Sequence, residues 1–320
     1  MQRESVSIGI VTYPGCMQSA AQGLAEMFAL ANDISRQNRI KTHFSVELYN
    51  IESIRLDIQT GNEEPTLLQI IIIPPDMKGV YYPNPDQALL KWILKQHAAG
   101  CIICSVCAGA FILALTGLLC NRTATIHWLL EKEFSDKYPD VQLDTNKLLI
   151  NDGDLITTGG PMSWIDLGFE LVAQFGNATV MRQLGKLLVV DTGSREQRYY
   201  KFFSPKLDHG DQAILKVQHS IQLNYGEPIT IKALSEVGFL TERTFLRRFV
   251  NATGFKPVQY LQRVRIQKAC ELLEASNAAV SDISSKVGYK DENAFRKVFV
   301  KIIGLTPKEF KRRFAAQNHS

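Results

Sequence analysis

Thr241-Glu-Arg-Thr-Phe245-Leu-Arg-Arg-Phe249-Val-Asn-Ala-Thr-Gly254-Phe-Lys-Pro257 returns fifty residues later as Asp291-Glu-Asn-Ala-Phe295-Arg-Lys-Val-Phe299-Val-Lys-Ile-Ile-Gly304-Leu-Thr-Pro307. The two phenylalanines, the glycine and the proline recur at one offset, and Tyr260 with Arg263 recurs as Phe310 with Arg313. A repeat at fixed spacing marks one structural unit used twice. Upstream of each copy lies a short helical pattern and a turn. Ile229-Thr-Ile-Lys-Ala-Leu-Ser-Glu leads through Val237-Gly-Phe-Leu to Thr241, and Val280-Ser-Asp-Ile-Ser-Ser-Lys leads through Val287-Gly-Tyr-Lys to Asp291. Thr241 and Asp291 are N-cap residues, each opening a helix with apolar residues at i and i+4. Helix, turn, helix is the pattern whose second helix enters the DNA major groove.

The helix faces agree with that reading. Phe245 and Phe249 take the inner face, which leaves Arg243 and Arg247 together on the outer one. Phe295 and Phe299 likewise leave Asn293 and Lys297 outward, with Arg296 alongside. Arginine, lysine and asparagine carry the donors that read guanine and adenine edges. Solvated helix charges would explain one such copy; two copies with the same cap, core and polar positions favour double-stranded DNA as partner.

Residues from about 215 to 314 therefore resemble the DNA-binding domain of AraC-type transcription regulators. Pro257 to Glu274 is similar to that family's linker helix, and Gly288-Tyr289 through Gly304-Leu-Thr-Pro307 to its second-motif signature. The resemblance implies two helix-turn-helix units on a rigid linker, reading successive major grooves. This chain departs from the family at the first turn, where Gly238 comes one residue early and Phe239 holds the glycine's usual place. It departs again at Ala294, where a serine is common.

The chain of 320 residues has room for two domains, each with its own core. Its net charge of +4 is unevenly spread. From Asp211 to Ser320 there are 18 Lys and Arg against 10 Asp and Glu; the other 210 residues hold 18 against 22. A basic C-terminal third on an acidic body implies that only the tail meets a polyanion. Met1-Gln-Arg-Glu-Ser leads straight into a strand pattern, without the form of a secretory signal. The six cysteines cluster rather than spread as a disulfide framework, so a reducing cytoplasm is the expected compartment.

Towards the N-terminus, strand and helix patterns alternate. Val6-Ser-Ile-Gly-Ile-Val-Thr is a buried strand, Ala20 to Asn32 a helix, His43 to Tyr49 a strand, and Leu67 to Ile73 a strand ended by Pro74-Pro75. Asp86 to His97 is a helix with Leu89, Leu90, Ile93 and Leu94 inward. Later come a hairpin from Leu148 to Thr158 around Asn151-Asp-Gly153, a helix from Ser163 to Phe175 and another from Val180 to Val190. Alternation of this kind implies a parallel sheet covered on both faces. Expected boundaries are an N-terminal domain over 1–195, a polar and aromatic linker over 196–210, and a DNA-binding domain over 211–320.

Cys101 to Cys120 is a charge-free run of membrane-spanning length. It also divides into a strand (Cys101 to Val106), a sharp turn at Cys107-Ala-Gly, and a helix (Ala110 to Leu119), which suits the centre of an α/β sheet. We read it so, and expect no membrane. The Cys101-x-x-Cys104-x-x-Cys107 spacing also resembles a metal-binding one. Residues three apart on a strand face opposite ways, so Cys101 and Cys104 read as buried structural thiols, and neither metal nor cofactor is expected.

Cys107 sits where a strand turns abruptly into a helix, followed by the small Ala108 and Gly109. That is the arrangement of a nucleophile elbow, and a helix N-terminus favours a thiolate. His127, in Thr125-Ile-His127-Trp128, is of a type that pairs with such a thiol. A buried cysteine and an unrelated histidine would give the same spacing.

Cys107-Ala-Gly, Gly117-Leu-Leu, His127-Trp128 and Thr157-Thr-Gly-Gly160 resemble the intracellular-protease and class I glutamine-amidotransferase-like superfamily over residues 5 to 195. With its AraC-type tail, the chain as a whole is similar to the GlxA subgroup of transcription regulators. The resemblance implies an α/β flavodoxin-like domain with a parallel sheet, followed by an all-α double helix-turn-helix domain. It places Asp76, Cys107, Ala108 and His127 at a ligand pocket. Enzymatic relatives carry a glutamate where this chain has Ala20, and a glycine pair where it has Pro75-Asp76. Proline lacks an N–H and an aspartate repels an oxyanion, so a non-catalytic sensor is expected. The alternative is a cysteine-dependent hydrolase or deglycase with an appended DNA-binding domain. The subgroup implies a small-molecule effector, a nitrogen-containing metabolite, together with a homodimer through the N-terminal domain and contact with RNA polymerase.

Overall fold

The computed structural model describes residues 5–60, 67–193 and 195–315, and divides into two compact units, 1–197 and 198–320. In the N-terminal unit, β1 (Ser5–Thr12) leads through α1 (Gln18–Gln37), β2 (His43–Asn50) and α2 (Ile51–Thr60) to β3 (Ile70–Ile73). Then come α3 (Gln87–Ala98), β4 (Ile102–Val106), α4 (Gly109–Leu115), β5 (Thr123–Ala124), α5 (Glu131–Lys137) and β6 (Gln142–Leu143). The unit closes with β7 (Leu149–Asn151), β8 (Leu155–Thr158), α6 (Trp164–Leu171) and α7 (Ala178–Leu188).

The main sheet has the order β2-β1-β3-β4-β8-β7, parallel except for the edge strand β7. Order and direction are those of a doubly wound flavodoxin-like fold, in which ligands gather beyond the carboxyl ends of the strands. Helices on both faces leave the central strands without a wet side. All four isoleucines of β3 are fully buried for that reason. The charge-free run divides into β4 and α4, and among the described residues no helix is long and apolar enough to cross a membrane. Cys101 and Cys104 are buried free thiols, and no group of three or more His, Cys, Asp or Glu among the described residues could hold a metal ion.

Local departures from the sequence pattern have packing causes. Trp92 takes the fully buried place on α3 while Leu94 is exposed, because the tryptophan ring packs against Tyr49 and its N–H donates to Asp57 Oδ2 at 2.9 Å. The helix expected from Ser163 to Phe175 is α-helical only over Trp164–Leu171 and finishes as a π-helical turn, Val172–Gly176. Its Asp166 pairs with Arg195, whose Nε donates to Oδ1 at 3.0 Å.

The C-terminal unit is all helical: α8 (Gln212–Asn224), α9 (Ile231–Val237), α10 (Glu242–Thr253), α11 (Pro257–Ala275), α12 (Val280–Lys286), α13 (Glu292–Ile303) and α14 (Pro307–Phe314). Phe245, Phe249, Tyr260 and Val264 close one core with α8 and α9, and Phe295, Phe299, Ile303 and Phe310 close a second with α12. The boundary between the units falls within the stretch expected as a linker over 196–210, and part of that stretch packs on the C-terminal unit. Phe203 packs edge-on to Tyr260 and donates its N–H to Gln267 Oε1 at 2.9 Å, and His209 Nε2 lies 2.8 Å from Gln218 Oε1.

The repeat offset of fifty holds for the second helices but not for the turns before them. Leu240 and Tyr289 donate equivalent N–H bonds to Ser235 and Ser284 carbonyls, an offset of 49. Lys290 is therefore an extra residue between turn and cap in the second copy. The shift also explains Phe239. With φ +53° it holds the left-handed place that Gly288 (φ +85°) holds in the second copy.

Candidate nucleic-acid interface and cysteine elbow

Each second helix is built to present one face. In α10, Thr241 Oγ1 accepts the Thr244 N–H, and Phe245 and Phe249 are fully buried. Arg243 and Arg247 are exposed on the same side. In α13, Asp291 Oδ1 accepts the Asn293 N–H at 2.9 Å, Phe295 and Phe299 are fully buried, and Asn293 and Lys297 are exposed. Gly254 (φ +75°) and Gly304 (φ +87°) end the two helices alike, as C-caps. Arg296 stands apart: half-buried, its Nε donates to Glu292 Oε1 at 2.8 Å within the same helix. The equivalent position in α10 is Leu246. Arg248, which the sequence pattern did not single out, grips Asp211 at the cap of α8 through Nε (2.9 Å) and Nη2 (2.6 Å).

In the N-terminal unit the elbow is a strained turn at the carboxyl end of β4. Cys107 has φ +52°, and its N–H donates to Thr158 O at 2.8 Å. Gly109 makes the tightness possible, since a Cβ there would fall 2.7 Å from Ile73 O and 2.8 Å from Pro74 O. The thiol differs from the expected thiolate. Burial pushes it up to about 11, against the backbone N–H groups of Ala108 and Gly160, which favour the anion. Ala108, the cap of α4, is itself buried.

His127 stands at the start of a short 3₁₀ turn. Its Nδ1 accepts the Leu129 N–H at 3.1 Å, which leaves the proton of the neutral ring on Nε2. Burial lowers its pKa, and the ring stacks on Trp128. Cys107 and His127 both flank Gly160, on whose Cα a methyl would sit 3.9 Å from His127 Cδ2. No hydrogen bond joins their side chains.

Asp76 has a different position from an open pocket carboxylate. Its Oδ1 accepts N–H bonds from Lys78 (3.0 Å) and Gly79 (2.9 Å), and its Oδ2 from Tyr81 (2.9 Å) and Tyr82 (3.1 Å). Four donors satisfy the carboxylate and fold residues 77–82 around it. Cys16 bridges to Asp76, its Sγ accepting from Gln18 Nε2 at 3.1 Å, and Ala20 is fully buried.

Residues 43–174 match the DJ-1/PfpI family, and residues 234–313 match a helix-turn-helix domain. The chain joins a DJ-1/PfpI domain to an AraC-type helix-turn-helix domain. It is 26% identical over 198 residues to the HTH-type transcriptional regulator CdhR of Pseudomonas aeruginosa, covering 62% of this chain and 59% of that one. It is 28% identical over 210 residues to ArgR of the same organism, covering 63% and 61%. The regulator GlxA of Rhizobium meliloti is 23% identical over 188 residues, covering 58% and 57%. The matches thus span about six-tenths of the length of these three relatives.

One residue of the DJ-1/PfpI unit escaped the sequence reading. Gln197, 3% exposed, lies behind the His127 loop. Its Nε2 is within 3.0 Å of Thr125 Oγ1, Ile126 O and Lys147 O, and its Oε1 accepts the Trp128 N–H at 3.2 Å. Gly159 has no side chain because the amide occupies that space: a Cβ there would fall 1.9 Å from Nε2. Nothing in Arg195-Glu-Gln-Arg198 distinguishes this glutamine from a linker residue.

Proposed function

We propose that this protein is a transcription regulator that binds double-stranded DNA through both AraC-type recognition helices, and that its DJ-1/PfpI domain senses a small molecule without catalysis. The observation that carries the reading is the pair of exposed faces, Arg243 with Arg247 and Asn293 with Lys297, each set opposite a fully buried phenylalanine pair. Arg296 lies alongside them and completes the DNA-binding set in this reading, although its fork is shared with Glu292.

Three features support a sensing rather than catalytic elbow. The Cys107 thiol is protonated at neutral pH, His127 makes no hydrogen bond to it, and the carboxylate of Asp76 is fully occupied by loop amides. The effector site in this reading is the surface around Cys107, Ala108 and His127, with Asp76 shaping its wall. A nitrogen-containing metabolite, homodimerisation through the DJ-1/PfpI unit, contact with RNA polymerase and a cytoplasmic setting complete the proposal.

Selection of binding sites from randomised DNA by the full chain tests it. Arg247→Ala and Lys297→Ala should relax base preference at opposite ends of one asymmetric site, each by about 1–3 kcal/mol. Loss at the same base pairs in both variants would refute the two-groove arrangement. Uniform weakening on every sequence would mean that these side chains contact phosphate. Turnover of amides, esters or glycated thiols by the wild type, lost in Cys107→Ala, would establish the hydrolase instead.

A further inference from the structure

The two helix-turn-helix halves have separate cores. Helix α11 runs through both, with Tyr260 and Val264 in the first and Ile266, Ala269, Cys270 and Leu273 in the second. A second connection lies beside it, and it is made by backbone. Arg265 of α11 donates from Nε to Tyr225 O at 2.8 Å and from Nη2 to Glu227 O at 2.9 Å, in the loop before the first unit. The same guanidinium lies 5.5 Å from the centre of the Tyr289 ring, in the turn of the second unit.

Two glycines let these segments meet. A Cβ on Gly288 would fall 2.6 Å from Gly226 O and 2.7 Å from Arg265 Nη2, and one on Gly226 would fall 2.9 Å from Lys286 O. The loop of the first unit and the turn of the second are thus in direct backbone contact, with the arginine closed over the join. Only the planar fork of arginine reaches two carbonyls at once; an ammonium is a single point of attachment.

We infer that the Arg265 clasp, with the Gly226–Gly288 contact beneath it, sets the separation of the two half-sites that this protein accepts on DNA. This rests on the proposal that both recognition helices read DNA. Adding one base pair between half-sites shifts the second by about 3.4 Å and turns it by roughly 34°. To follow, α13 must swing relative to α10 about α11. The clasp resists that swing, because it ties the first unit's loop to the second unit's turn at a distance from the helix axis. Arg265 is a positioning residue, and it acts on spacing rather than on base identity.

The test is binding-site selection by the full chain from a library whose half-sites are joined by spacers of variable length. The wild type should enrich one spacer length. Arg265→Gln should narrow the preference for that spacer over its neighbours by at least roughly tenfold, the factor that corresponds to losing a single charge-assisted bond at the low end of its usual strength. Base preference within each half should not change. Arg265→Lys and Gly226→Ala should do the same to a smaller extent, and they carry the test if Arg265→Gln does not fold. An unchanged spacer preference in a folded variant overturns the inference. So does equal weakening at all spacer lengths, which marks a merely structural role. Should the wild type select no sequence at all, the DNA-reading proposal fails, and the inference fails with it.

Discussion

Replacing Gln197 by alanine should loosen the wall of the candidate effector site without touching Cys107 or His127. The amide has two N–H donors and one carbonyl, so at most about three of its contacts act as full hydrogen bonds at once. At roughly 1 kcal/mol net for each, the loss is about 3 kcal/mol, with a further contribution from the cavity left against Gly159. For a unit of about 200 residues, 1 kcal/mol moves the melting point by roughly 2–4 °C, so Gln197→Ala should melt about 6–12 °C lower. The local signature is sharper than the global one. Hydrogen exchange at the Trp128 amide, which donates to Gln197 Oε1, should speed up more than exchange at the Ile71 or Ile72 amides of β3. Gly159→Ala should reproduce both effects, since its Cβ must displace the same side-chain amide. A variant that melts within 1 °C of the wild type, with exchange at Trp128 unaltered, would show that the glutamine fills space and holds nothing.

Further outcomes follow from single residues. Alkylation of Cys107 should rise about tenfold per pH unit up to roughly its pKa of about 11, since only the thiolate reacts, whereas exposed Cys120 should react first; a plateau for Cys107 by pH 8 would contradict the buried, protonated thiol. The Asp154 carboxylate is held down to about 2 by Arg122, with His97 assisting, so Asp154→Asn should destabilise the protein at pH 6. The wild-type advantage should close as the pH falls from about 4 to 2, because a depressed carboxylate loses its contribution on protonation; a gap that persists at pH 2 would rule this out. Phe239, exposed and left-handed at φ +53°, should gain about 1 kcal/mol on replacement by glycine in chemical denaturation; a loss would show that its contact with Lys216 outweighs the strain.

How far the sequence led depended on whether a feature is periodic. The buried phenylalanine pairs, the caps and the paired glycines of α10 and α13 repeat, so spacing alone located them. The extra residue at Lys290 was hidden by that same regularity. Val237-Gly and Val287-Gly align at the dominant offset of fifty, yet the chain turns one residue later in the first copy. Hydrogen bonds and φ values reveal the turn; letters at matching places do not. Helix α2 was missed altogether: Ile51, Ile54 and Ile58 do form a short apolar stripe against the core, but only Ile54 is fully buried and the helix follows β2 with no loop between them.

The elbow shows a second kind of limit, in which the residue is legible but its state is not. Strand, turn and helix at Cys107 follow from composition, and the strain appears as a positive φ. The thiol's charge depends on a contest that no motif records. The Ala108 and Gly160 N–H groups favour the anion and burial favours the neutral form; here burial is the larger effect. Asp76 is the converse case. An aspartate at an oxyanion position reads as a repulsive charge, but its four amide donors leave it no capacity to accept from a ligand. Its consequence is therefore steric and local: it fixes residues 77–82, including Tyr82, whose ring stacks on Phe111 of α4 at 4.2 Å. Any ligand that reaches the elbow meets a wall that Asp76 built and donors that it has already consumed. Recognition there must then come from the Cys107 thiol, the Nε2 proton of His127 and the remaining loop amides. Those are mainly donors, so under the proposed sensing role the metabolite that would suit them bears an acceptor, a carbonyl or carboxylate oxygen directed at the elbow.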